Sequence, residues 1–596
     1  MTWNRLQSLA LPDRTRDISA ALYVRSDLGN LVIDDHGAVI LHDGQSVRTD
    51  TFFNGLSVEK WKAHCPVQRL ALCLRGEGQL IVRFGLRRTG MDRQWIYERP
   101  TDLNDGETVI IDLSFWPDLH AGLLYFSLEG KGGQASIYDC WYATSDPPLR
   151  PVRIGMVITH YNRPTHVLPA AQRIAQELLT DPAYQDQAAL IIVDNSRNLD
   201  PSDIPQAMVI PNRNLGGSGG FMRGLLYLKD TGRFTHALFM DDDAACEIES
   251  IRRSIAVFTY AITPRLAIAG ALLSAADPHR LIEKGGSFET YCHAHHTGLD
   301  MRIVDDLLSA EQESEVANYG AWWFFGFAIH DVEHFAFPFF LRGDDVQFSL
   351  GNRFNILTMN GIACWGDDFG IKDTPFYNYF DNKHHLIHAL LGASDAKSAS
   401  RVAQGFFGGK LKSYCYAAAA AVSLAVEHVS KGPQIWADNP DMEDIRNELA
   451  ELSSKQKMAP ISPAPTYCLP VHRKLGGMGR ALRSISRNGL RLPRWLLRNK
   501  PVAQRVTAMA NNAAIFGYRR VLYFDDMTGM GFIAEHDARK AKRERALFKQ
   551  RLRHFEDHFD SLRVAYVEAL PHLTSQAFWE SAFNEGKHPS AIQPGK

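Results

Sequence analysis

Three consecutive aspartates, Asp241-Asp242-Asp243, follow directly on the apolar run Ala237-Leu238-Phe239-Met240. An apolar run that ends in a charged cluster reads as a buried strand opening into a cleft. Adjacent carboxylates repel one another, and a hard divalent cation such as Mg²⁺ or Mn²⁺ removes that repulsion. A metal held there could carry a nucleotide diphosphate. For the triplet alone, a solvated acidic turn is the competing reading. A second pair, Asp344-Asp345, follows the apolar run Phe337-Pro338-Phe339-Phe340-Leu341. Beside a metal–diphosphate site, paired carboxylates can bind an acceptor's hydroxyls and take a proton from one of them. On its own, Gly343-Asp344-Asp345 is more often a surface turn.

The elements that must position these residues follow from the pattern around them. Apolar runs at Ile154–Ile158, Ala188–Val193, Ala207–Ile210 and Ala237–Met240 read as buried strands, with a helical spacing over Thr165–Leu179. Strand and helix alternating at this interval predict an α/β domain with a mainly parallel sheet, whose ligands bind at the carboxyl ends of the strands. Each of the four strands ends in a polar cluster: Asn162-Arg163, Asp194-Asn195, Asn212-Arg213-Asn214 and the aspartate triplet. Four such clusters at four strand ends favour a nucleotide site over a chance acidic turn. The loop Asn214 to Phe221 holds four glycines and opens a helix, whose N-terminus favours anionic groups. It lacks the lysine and hydroxyl of a Walker loop, so ATP hydrolysis is not implied. The aromatic run Asn318 to Phe325 reads mainly as core, although a tryptophan at a cleft edge also stacks on sugar rings.

Residues 1–150 carry short alternating runs at Ala21–Val24, Gln79–Phe84, Thr108–Leu113, Gly122–Leu128 and Ala135–Tyr138. Turn-type residues, including Gly76-Glu77-Gly78 and Gly130 to Gly133, punctuate them, which predicts a jelly-roll-like β-sandwich. Pro147 to Pro151 marks the boundary to an α/β domain over 151–400. Over the whole chain of 596 residues, 45% are hydrophobic and 22% charged, as in ordinary globular proteins. The net charge of −2 argues against a nucleic-acid partner. The eight cysteines form no CxxC pair, so neither a zinc scaffold nor a disulfide framework is expected, and a reducing cytosol fits best. The N-terminus has no long apolar core of the signal-peptide type.

Residues 401–596 read as helical. Cys415–Val426 is too short to cross a bilayer and reads as a buried helix. Arg473–Arg505 carries ten Lys/Arg and no acid, with leucines, Ile485 and Trp495 interleaved and Pro493 as an interruption. Such a basic amphipathic segment suits an anionic membrane surface, and equally a solvated helix or an interdomain contact.

Taken together, the order and spacing of several stretches resemble the bacterial polymerising galactofuranosyltransferases. They are Leu6 to Pro12, Thr51-Phe52-Phe53-Asn54, Thr159 to Pro164, Asn214 to Phe221, Asp241-Asp242-Asp243, Trp322-Trp323, Asp344-Asp345 and Tyr379-Phe380. That family comprises inverting family-two glycosyltransferases with a GT-A core, an N-terminal β-sandwich and a helical C-terminal region. The resemblance implies UDP-galactofuranose as donor, a lipid-linked glycan as acceptor, Mn²⁺ or Mg²⁺ as cofactor, self-association, and a cytoplasmic site at the inner face of the membrane. It assigns Arg163 to the nucleotide or its phosphates, and Asp194 and Asn214 to the surroundings of uridine and ribose. Asp241 and Asp243 become metal ligands, and Asp242 lies nearer the ribose and donor sugar. Trp322 and Trp323 line the acceptor site, Asp344 binds acceptor hydroxyls, and Asp345 is the general base.

The chain departs from the family pattern in two places. The family's metal-binding histidine falls on Gly366, which has no side chain to offer. Asp367 is the substitute put forward here, with Asp368 or a water as alternatives, and His384 and His385 read instead as helix-face residues. Gly285-Gly286 falls where the family tends to carry a glutamate near the acceptor. Two further readings follow: a family-two transferase for another UDP-sugar, and a carbohydrate-binding protein that lost its metal.

Overall fold

The computed structural model describes residues 2–13, 18–27, 32–34, 36–312, 316–367, 373–454, 456–470, 476–509 and 512–584. Its centre is a seven-stranded sheet in the spatial order Ala207–Pro211, Ala188–Asp194, Ile154–His160, His236–Asp241, Phe325–Ala328, Leu266–Ala269, Asn355–Leu357. Phe325–Ala328 runs antiparallel to its neighbours and the other strands are parallel. The four strands expected from the apolar runs are thus four consecutive neighbours. Their runs are apolar throughout because both faces are covered. Val157, Ile191, Val193 and Phe239 point into one core, and Met156, Ile158, Leu190, Ile192 and Met240 into another. Each such fully buried side chain contributes roughly 1.5–3 kcal/mol of transfer free energy.

The first core also takes in the helix Gly216–Thr231 and the C-terminal helices, and the second takes in the N-terminal sheet. The N-terminal region is built mainly of strands. Ten of them belong to one hydrogen-bonded sheet, built on the long strands Ala71–Arg87 and Leu123–Thr144. Both strands run through glycine stretches that read as turns. A Cβ on Gly76 would lie 2.1 Å from the Ser136 carbonyl oxygen, and one on Gly78 2.7 Å from that of Gln134. The glycines therefore permit a close crossing at the register shift between Lys131 and Ser136, where side chains would collide. Ala21–Val24, expected as a strand, begins instead in the 3₁₀ turn Ala20–Leu22.

A short second sheet joins Ala245–Cys246, Ala363–Gly366, Ala271–Ser274 and Leu281–Glu283 in that order. Beyond it the chain is mainly helical: Pro375–His388, Ala396–Lys412, the buried Tyr416–Val429, Glu443–Ser454 and Ala538–Asp557. This helix-rich region also holds a four-stranded sheet of Ala459–Pro460, Met530–Glu535, Arg520–Phe524 and Val502–Arg505, which the sequence reading did not include. The basic segment is likewise not one helix. It is helical over Gly477–Ile485, then turns through Arg487, Asn488 and Gly489, all in the left-handed region. Among the described residues, no helix is long and apolar enough to cross a membrane.

Candidate active site

A cleft of about 640 Å³ opens at the carboxyl ends of the central strands. Thr159, Tyr161 and Arg163 enter it from the first strand's turn, Asn214, Gly216 and Gly217 from the glycine loop, and Asp241, Asp242 and Asp243 from the fourth strand. Trp322, Trp323, Arg342, Asp344 and Asp345 close the opposite side. Of the residues to which the resemblance gives a site role, Asp194 is absent from this lining, as is Asp367, the substitute metal ligand.

Asp194 has a different task. Its carboxylate accepts from the backbone N–H groups of Ser196, Arg197, Asn198 and Leu199 and from the Ser196 hydroxyl, all at 2.8–2.9 Å. Burial opposes its charge, yet these donors prevail and hold it below the ordinary carboxylate range. It shapes the 195–199 turn rather than reaching toward a nucleotide. The neighbouring Asn195 does line the cleft, and its side-chain N–H donates to the Gly216 carbonyl at 3.0 Å.

The triplet divides by role. Asp242 turns back to the first strand, accepting from the Tyr161 backbone N–H at 3.1 Å and lying 3.2 Å from His160 Nδ1. Burial works against protonating His160, but its bonds to Asp242 and Asn198 and the nearby negative charge raise its pKa. Asp243 pairs with the Arg163 guanidinium, which also lies 3.5 Å from Asp242. The donor set of Asp241 and Asp243 consists of hard oxygens at a strand end, and a cationic side chain already sits against Asp243. Both features fit a hard divalent cation. Asp367 is exposed just after the strand Ala363–Gly366, and Asp368 lies outside the described residues.

Glycine is required at one point of the cleft floor. Gly216 has φ +69°, and a Cβ on it would lie 2.0 Å from the Phe340 carbonyl oxygen. The helix Gly216–Thr231 can thus start directly against the loop carrying the second carboxylate pair. That loop is itself strained, with Phe340 at φ 65°, Arg342 at φ 65° and Gly343 at φ 83°. It delivers Asp344 and Asp345 to the first turn of the helix Asp344–Asn352. Asp344 is buried and accepts from the Ser218 hydroxyl at 2.8 Å. Asp345 is half-buried and accepts from the Val346 N–H at 2.8 Å. Burial, and then the charge of Asp344, push Asp345 up to about 7. A carboxylate with that proton affinity is matched to general-base work near neutral pH.

Trp322 packs among Phe221, Phe239 and Phe348 with ring centroids 5.0–5.6 Å away, so most of it is core, as expected for the aromatic run. Its indole N–H is nevertheless buried without a protein partner, as is the Thr159 hydroxyl. Trp323 uses its N–H on the Gly270 carbonyl at 3.0 Å.

Some site residues gave no readable signal in the sequence. Glu283 is buried, and burial followed by the charge of Asp345 pushes it up to about 8. Tyr319 donates to it at 3.4 Å. Glu283 stands two residues before Gly285-Gly286, where the resemblance implies an acceptor-side glutamate, but it is not among the residues lining the cleft. Phe376, Tyr377, Arg446 and Asn447 also line the cleft, from the helices Pro375–His388 and Glu443–Ser454. Only Phe376 and Tyr377 had a local cue, the Thr374-Pro375 helix start, with the Thr374 side chain accepting from Tyr377 N–H.

No protein-family model matches the chain. The galactofuranosyltransferase GlfT2 of Mycolicibacterium smegmatis is 24% identical over 583 residues, covering 89% of this chain and 88% of that protein. Its Mycobacterium tuberculosis counterpart is 23% identical over 585 residues, with 89% of each covered. The chain is a glycosyltransferase related to the galactofuranosyltransferases. Among solved structures, the transferase matches mannosyl-3-phosphoglycerate synthase from Rubrobacter xylanophilus at 11% identity over 40% of this chain and 74% of that one. The TM-score is 0.24, too low to bear on the fold.

Proposed function

We propose that the transferase moves galactofuranose from UDP-galactofuranose to a glycan acceptor with inversion at the anomeric carbon, on a GT-A core. The observation that carries this reading is the shared cleft. The triplet strand end, the glycine-helix N-terminus and the half-buried Asp345 all open into it. In this reading Asp345 accepts the proton of the attacking acceptor hydroxyl. The new bond from that oxygen to the anomeric carbon forms as the carbon–phosphate-oxygen bond breaks, and UDP leaves with the electron pair. Asp241 and Asp243, with Asp367 from the end of Ala363–Gly366, would hold Mn²⁺ or Mg²⁺, which supplies charge neutralisation for the leaving diphosphate. Arg163 steadies the phosphates, and the helix Gly216–Thr231 turns the positive end of its dipole toward them. Asp344 orients acceptor hydroxyls, and Trp322 offers its free indole N–H to a sugar oxygen.

The test is a donor competition between UDP-galactofuranose and UDP-galactopyranose with a lipid-tailed galactofuranoside acceptor, the product anomer being read by NMR. Transfer of galactofuranose with inversion supports the reading. Preferred turnover of the pyranose donor, or a retained anomer, overturns it.

A lipid-tailed acceptor also accords with the basic segment. Met478, Ile485 and Trp495 are 88%, 71% and 79% exposed among its arginines, and no residue of the helix Gly477–Ile485 is buried. Apolar side chains among cations suit an anionic headgroup layer. Co-sedimentation with phosphatidylglycerol vesicles, weakened in Trp495→Ala and in Arg480→Glu/Arg483→Glu, is the expected result. Equal binding to neutral vesicles would remove this part of the reading.

A further inference from the structure

Across the carboxylate pair from the triplet, one group of side chains has no part in the chemistry above. Among the described residues, the ligand atoms of Cys292, His384 and His385 lie within 4.8 Å of one another. Around a tetrahedral Zn²⁺ ion, one sulfur and two nitrogen ligands sit about 3.3–3.6 Å apart, so a small side-chain adjustment would close the set.

The surroundings prepare both imidazoles for this. His385 Nδ1 lies 2.6 Å from the Asp381 carbonyl oxygen one helical turn back. Donating there fixes the tautomer and leaves Nε2 as the lone-pair nitrogen, the arrangement that metal-bound histidines adopt. His384 is 4% exposed, and its Nδ1 is buried without a hydrogen-bond partner. An unpaired imidazole nitrogen costs free energy unless something binds it. Cys292 comes from a separate element, on the exposed second strand of the hairpin Gly286–Phe288 and Cys292–Ala294, whose Phe288 and Tyr291 rings lie 5.8 and 5.6 Å from His385.

We propose that Cys292, His384 and His385 bind one zinc-type divalent cation, separate from the hard-cation site at the aspartates. A thiol with two imidazoles selects a borderline-soft metal, whereas the triplet's oxygens select Mg²⁺ or Mn²⁺. The ion staples the hairpin to the helix Pro375–His388. A Cβ on Gly343 would lie 2.5 Å from His384 Cβ, so this helix packs directly on the turn that delivers Asp344 and Asp345. Three protein ligands leave one coordination position for water or a substrate oxygen.

The test is metal binding without donor or acceptor, so it stands apart from the transferase assay. Full-length protein is titrated with Zn²⁺ in excess Mg²⁺, and separately with Co²⁺ while the near-ultraviolet thiolate-to-cobalt band is recorded. One equivalent of Zn²⁺ and a thiolate–cobalt band are expected, both persisting in Asp241→Ala/Asp243→Ala. Losing a partner one shell out already costs ~10–100-fold in metal affinity, so Cys292→Ser and His385→Ala should each lose at least that. Cys292 is exposed, so its replacement leaves the fold intact. Zn²⁺ binding that is absent in the natural chain, unchanged in Cys292→Ser, or lost only with the aspartates overturns the proposal.

Discussion

Ser218 and Asp344, 126 residues apart in the chain, meet at 2.8 Å, hydroxyl to carboxylate. The bond ties the start of the glycine helix to the start of the carboxylate helix, and so couples the two halves of the cleft. Ser218→Ala leaves Asp344 buried without that donor. A hydrogen bond to a charged group is worth about 1.5–3 kcal/mol, and a stability loss of that order is expected in chemical denaturation. The KM for acceptor should rise more than the affinity for UDP falls.

The pH dependence of rate and stability should run in opposite directions. Transfer needs Asp345 unprotonated, so kcat/KM should climb through about pH 7. Asp345 and Glu283 both bind their protons more tightly folded than unfolded. The stability this brings is complete below the ordinary carboxyl range and is lost as pH rises through about 7 and about 8. Asp345→Asn should bind UDP normally and lose ~10²–10⁴-fold in rate. It should also gain stability over the natural chain, the gain growing as pH rises toward about 7 and levelling off above it in denaturant titrations.

Two glycines should respond with opposite signs. Gly216→Ala forces a side chain into a left-handed position and against the Phe340 carbonyl, so a loss of more than ~1–2 kcal/mol is expected. Gly405 lies inside the helix Ala396–Lys412, and a Cβ added there would have nothing within 4 Å. Gly405→Ala should raise stability by ~0.5–1 kcal/mol. Paired thermal melts of the two variants decide the matter.

Arg163 now occupies the charge-neutralising place beside Asp243. Arg163→Ala should therefore tighten Mn²⁺ binding to the free protein while weakening UDP binding by about 10–100-fold, the worth of one charge-assisted bond. Electron paramagnetic resonance of free Mn²⁺ and calorimetry of UDP read the two effects separately.

The sheet and its cleft were legible because continuous apolar runs ended in polar clusters, and that local pattern is what a doubly covered parallel sheet imposes. Asp194 was misread because strand-end position does not tell whether a carboxylate faces a ligand or caps its own turn. Glu283 was missed because a buried acid within a short strand leaves no periodic trace. The contribution of Arg446 and Asn447 depends on how a distant helix returns to the cleft, which only tertiary packing determines. Gly76 and Gly130 were read as breaks, whereas close strand crossing is the other reason for glycine.

The buried bonds between the regions bear on how the chain can be divided. Ser8 N–H donates to Glu249 at 2.6 Å, and the Arg253 guanidinium donates to the Ser8 carbonyl at 3.3 Å. The helix Ala396–Lys412 runs straight across the expected border at residue 400. A catalytic fragment cut at residues 151 and 400 would strand an acid and a base in an apolar wall and lose one side of its own binding trough.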